Sequence, residues 1–180
     1  MKPTALILSV ACSIAFSARA AEFLEARIDD SGSRLTVVRS DGATFSAPKF
    51  EDQDSFDKPA VSSNHGYVGW LALFPNQGAS YSQPLYLVVL DSSKRARRFA
   101  GDFGMVFGWC FVKGSDTVVY RYQFPHGVTP IGFDMRRLKD GKLLRRVRVQ
   151  PIKPDEDESQ VIRAKVPAWT RCAQDGAAAK

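Results

Sequence analysis

The side chains best suited to chemistry are few in this 180-residue chain, and they are scattered. There are two histidines, His65 in a turn-rich stretch and His126 in a loop. A zinc site needs three or four nitrogen or sulfur ligands in one place, and this spacing does not assemble them. There is no Gly-x-Ser-x-Gly elbow and no Ser-x-x-Lys pair to activate a serine. Cys110 lies in the apolar run Met105–Val112, an unsuitable setting for a reactive thiolate. The acidic runs Glu51–Asp57 and Pro154–Glu158 have the oxygens calcium prefers, but lack the glycine and closing glutamate of an EF-hand loop. Both read as solvated loops. We therefore expect no catalytic residues, no metal and no cofactor. The remaining polar and aromatic candidates are Asn76, Gln77, Tyr81, Phe124 and His126, in two of the longest loops, and their chemistry is that of binding.

The elements that position them are short strands. Phe23–Ile28, Leu35–Arg39 and Ala43–Ala47 come first, the last two joined by Ser40-Asp41-Gly42. Pro48–Pro59 is acidic and irregular. A four-stranded meander follows over 59–101: a short strand near Ala60–Ser62, then Tyr67–Phe74, Leu85–Asp91 and Arg97–Ala100. The ten-residue loop Pro75–Pro84 lies inside it. A second meander runs over 104–150, through Met105–Val112, Thr117–Gln123, Ile131–Leu138 and Leu143–Gln150, with the loop Phe124–Pro130. The conformation of Gln160–Cys172 is left open, and 173–180 reads as a flexible tail. Residues 21–172 form a single β-rich domain.

Alternation along the strands separates their faces. In Tyr67–Phe74, Val68, Trp70, Ala72 and Phe74 share one face, and Tyr67, Leu71 and Leu73 the other, so the strand needs cover on both sides. Leu143–Gln150 differs: Arg146 and Arg148 share a face opposite Leu143, Val147 and Val149, the pattern of a charge-guarded edge. Arg95, Arg97, Arg98, Arg136, Arg137 and Arg145 add to an arginine excess that reads as solvated surface.

The two meanders repeat at an offset of about fifty residues, and the segment 21–47 matches part of the same unit, lacking its first strand. Four strands at such a period are the signature of propeller blades. Ser63-Asn64-His65-Gly66 before Tyr67–Trp70, and Lys113-Gly114-Ser115-Asp116 before Thr117–Tyr122, occupy the slot of a Ser-Pro-Asp-Gly turn. On those turns the chain resembles the TolB-like, WD40-like propeller repeats of exported bacterial proteins. The resemblance implies an all-β fold of antiparallel four-stranded meanders, nearly three blade-like units. It brings no activity with it. Fewer than three units cannot close a ring, so an open stack with a short C-terminal extension is expected, with a homodimer as the alternative.

Export is expected independently. Lys2, the apolar run Ala5–Phe16 and Ala18-Arg19-Ala20 make a Sec-type signal peptide over 1–20, cleaved after Ala20 into a periplasmic or secreted protein. No further apolar run reaches membrane-spanning length. Cleavage removes two of 25 basic residues and no acidic ones, leaving 23 against 19, a net charge of +4. That mild excess does not call for nucleic acid. The remaining cysteines, Cys110 and Cys172, are a pair for a disulfide in an oxidising compartment. The leading function is a non-enzymatic interaction module with an envelope protein as its unknown partner. A binder of anionic glycan or lipid headgroups, using arginines and aromatics, is the second reading. An enzyme with no recognisable motif is the third.

Overall fold

Strands that follow one another within a segment pair antiparallel, and the chain folds into three separate antiparallel sheets. The computed structural model describes residues 21–76, 78, 80–126, 130–150 and 156–174. The leader 1–20, Gln77 and the last six residues of the expected tail lie outside them. The first sheet holds β1 (Phe23–Ile28), β2 (Leu35–Arg39) and β3 (Thr44–Ser46). The second holds β4 (Ser55–Val61), β5 (Tyr67–Phe74), β6 (Gln83–Asp91) and β7 (Ala96–Phe99). The third holds β8 (Met105–Phe111), β9 (Thr117–Gln123), β10 (Ile131–Arg137) and β11 (Leu143–Val149). Strand order follows chain order in every sheet and none closes into a barrel, so the fold is all-β with antiparallel meanders. Among the described residues no helix is long and apolar enough to cross a membrane.

The sheets stack face to face around three apolar layers. Phe23, Leu35 and Val37 of the first sheet meet Phe56, Val68, Trp70 and Ala72 of the second. The opposite face of the second sheet, with Leu71, Leu87, Val89 and Phe99, meets Val106, Trp109, Phe111, Val118, Tyr120 and Tyr122 of the third. The two faces of β5 are thus both covered, as their composition requires. Gly69 on β5 is needed for close approach: a Cβ there would lie 2.7 Å from the Trp109 ring.

The far face of the third sheet, with Val119, Ile131, Phe133 and Val149, is covered by the C-terminal segment. Here the structure settles what the sequence left open. The segment is α1 (Glu158–Lys165), a 3-10 turn at Ala168–Thr170 and α2 (Arg171–Gln174). Ile162 and Ala173 are buried beneath it, so the ordered chain continues past residue 172, into the expected tail. The Cys110–Cys172 disulfide fastens this cap to β8, with Cα atoms 5.8 Å apart across a separation of 62 residues.

One further expectation is corrected. The irregular segment ends before Ser55, not at Pro59. Phe56 is apolar enough to be buried between sheets, and the charged and proline residues that read as loop are absorbed by a bulge at Lys58 and Pro59. The first sheet has three strands where the others have four, and β1 runs antiparallel to β4, in the direction of β5 and β9, the second strands of their sheets, so the strand it lacks is the first. β1 starts beside the second sheet's first turn, where Phe23 N donates to His65 O at 2.9 Å. It ends beside the start of β4, where Phe56 N donates to Gly32 O at 2.9 Å.

Candidate functional site

Alternating connections sort the loops onto two ends of the stack. The tight turns Ser62–Gly66, Asp91–Arg95, Val112–Thr117 and Arg137–Lys142 lie at one end. The Asp29–Arg34 turn and the described residues of the longer connections 47–54, 75–82, 100–104 and 124–130 lie at the other. His65 and His126 therefore stand at opposite ends.

At the long-loop end, Tyr81 and His126 meet although 45 residues separate them: the Tyr81 hydroxyl lies 3.1 Å from His126 Nε2. Phe124 stacks on Phe103 at 5.7 Å, and Phe103 packs edge-on against the buried Tyr122 at 5.0 Å. An aromatic ladder thus runs from the core to the surface. Tyr81 is 47% and Phe124 46% exposed, large aromatic surfaces left facing out. Asn76 does not join them; its Oδ1 accepts from the Gly78 amide at 3.1 Å and closes its own turn. Gln77 lies outside the described residues. Ser82 hydrogen-bonds Asp54, tying the same loop to the start of β4. Among the described residues no cluster of three His, Cys, Asp or Glu could hold a metal. The surface can bind through ring faces and two or three polar groups.

The arrangement that sequence reasoning missed is buried between the second and third sheets. Asp134 on β10 is fully buried. Register places it opposite Tyr120 on β9 and Arg146 on β11. Arg146 grips it in a fork, with Nε to Oδ1 and Nη2 to Oδ2, both at 2.7 Å. Arg136 Nη2 donates to Oδ2 at 3.0 Å, and the hydroxyls of Tyr120 and Tyr122 donate at 3.1 and 3.2 Å. Arg136 Nε in turn donates to the Tyr120 oxygen at 2.9 Å, and the single Tyr120 hydroxyl proton is shared between Asp134 and Ala100 O, the latter at 2.9 Å. Asp102 accepts from both Arg146 and Arg148. Burial would raise the Asp134 carboxyl, but the hydrogen bonds and charge of Arg146, then of Arg136, outweigh it and hold the group below its usual range. Burial, then the charge of Asp134, pushes Tyr122 up to about 12 and Tyr120 higher still.

This corrects the reading of the arginines as solvated surface for Arg136 and Arg146, whereas Arg95, Arg98, Arg145 and Arg148 are exposed. Arg136 and Arg146 neutralise a buried carboxylate. Arg95, Arg137 and Arg148 pair with Asp91, Asp140 and Asp102, and Arg98 lies over the Phe50 and Tyr86 rings. The available signal was the alternation Gly132, Asp134, Arg136 on one face of β10, beside Arg146 and Arg148. Compared with known proteins, the chain matches no family model and no curated protein.

Proposed function

We propose that this is an exported, non-enzymatic binding module that engages an envelope protein through its long-loop end. The observation carrying this is the exposed aromatic patch of Tyr81 and Phe124, held by the Tyr81–His126 bond and the Phe124–Phe103 stack on a rigid β-frame. Tyrosine and other large rings that are already ordered lose little entropy on docking, which is why they dominate interface energetics. The disulfide supports a location outside the reducing cytoplasm, in line with a signal peptide over 1–20. The stack of three meanders is in keeping with three blade-like units, the first incomplete, of an unclosed TolB-like or WD40-like propeller. The headgroup reading is weaker, because of the eight arginines that motivated it only Arg97 and Arg145 have neither a carboxylate nor a ring partner among the described residues.

The test is crosslinking in living cells with capture of the tagged mature protein, alongside Tyr81→Ala and Phe124→Ala. We expect one envelope protein to be recovered, and each substitution to weaken its binding by about 2 kcal/mol, roughly thirtyfold. Leu143→Ser, at the tight-turn end, should leave capture intact. Capture indifferent to Tyr81 and Phe124 would refute the assignment.

A further inference from the structure

At the tight-turn end a groove of about 430 Å³ opens where the free edges of β1 and β4 approach the end of β8. Its size suits one small ligand. Leu24 and Ala26 line one side, Pro59 and Val61 the other, and Phe111 lies between them. Two β-bulges shape it. Leu24 is the extra residue where the β1–β2 register shifts, and this throws its side chain out of the sheet, leaving it 52% exposed. Lys58 and Pro59 together oppose one residue of β5, and this turns Pro59 into the groove. Bulges on facing edge strands re-aim side chains and often sit beside binding sites.

On its β4 side the groove is closed to a pairing strand. Pro59 has no amide hydrogen, the Lys58 amide is taken by its neighbour Asp57 at 2.8 Å, and Lys58 Nζ covers Phe107 O at 2.7 Å. On that side its ligand is therefore bound by side chains. The charge at its rim is positive. Lys113 is exposed and has no ion pair among the described residues, whereas Glu25 is neutralised by Arg27. The His65 ring is fixed in the wall by the bond from its Nδ1 to Phe23 O, 2.7 Å. An apolar trough with one unpaired cation at its mouth complements an apolar chain ending in one negative charge.

We propose that this groove binds a free fatty acid, with the alkyl chain along Leu24, Pro59, Val61 and Phe111 and the carboxylate at Lys113. The test is calorimetric titration of the mature protein with hexanoate, octanoate and decanoate below their micelle concentrations, and with 1-decanol. One ligand should bind per chain, tightening about fourfold per added methylene until the groove is full. Decanol should bind at least tenfold more weakly than decanoate. Leu24→Glu and Lys113→Glu, both at exposed positions, should each weaken decanoate tenfold or more. Lys49→Glu, with the same charge change at the opposite end, should not. Absence of saturable binding, decanol as tight as decanoate, or equal losses in all three variants would overturn the proposal.

Discussion

Replacing Asp134 by Asn tests whether the buried carboxylate organises the second and third sheets as one body. Asn has nearly the same volume, so no cavity is made, but it carries no charge and turns an NH2 group toward arginine donors. Asp134 is fully buried and accepts five hydrogen bonds, three of them from Arg136 and Arg146. Removing one partner of such a cluster leaves the other charges uncompensated, at about 3–5 kcal/mol. For a chain of this size that is a fall in Tm of about 6–20 °C, measured by circular dichroism at pH 7. The pH dependence gives a second check. The folded-state pKa of Asp134 lies below its unfolded value, so the ionised group contributes its full stability above about pH 4 and loses it as pH falls through the folded value. The difference between wild type and Asp134→Asn should be constant from pH 5 to 8 and shrink below pH 4. A loss under 1 kcal/mol, or a gap undiminished at pH 2, would refute the reasoning. Adding Arg146→Met should restore part of the loss, because it removes a stranded charge.

Gly132→Ala should cost at least 1–3 kcal/mol in urea unfolding, because its Cβ would lie 2.1 Å from the Tyr122 ring. Reducing the disulfide, or replacing Cys172 by Ser, should lower stability by about 4 kcal/mol in the loop-entropy model, and chemical denaturation with and without reductant measures it. Tyr120 and Tyr122 should stay un-ionised for as long as the fold holds. Their raised pKa values contribute stability below about pH 10 that is lost as pH rises, so the last phenolate absorbance should appear together with alkaline unfolding.

Much of the fold is legible in local pattern. β5 and β9 begin and end where alternation and the flanking turns place them, because a strand between tight turns has little freedom in length. The start of β4 is hidden because Asp57, Lys58 and Pro59 are poor strand residues, tolerated only at a bulged edge. The C-terminal helices are short, and Val161, Ile162 and Val166 become meaningful only once a sheet face lacks cover. At the site, loop alternation groups Tyr81, Phe124 and His126 at one end, but their contacts depend on how two sheets stack. Asp134 is the clearest illegible residue. In sequence it sits beside Met135, Arg136 and Arg137 like any surface charge, and its burial follows from the sheet facing it.

Among the described residues no strand leaves its own sheet to pair with another, so each sheet is built by a continuous stretch of chain. A polypeptide delivered from its N-terminus can complete one sheet, lay the next upon it and repeat, without waiting for distant segments. The exception is the last step. Cys110 is in place with β8 while Cys172 arrives with the final helix, so oxidation records that the whole stack has been built. The disulfide thus acts as a seal on assembly order: a chain that stalls after its third sheet keeps a free thiol and an uncovered apolar face together.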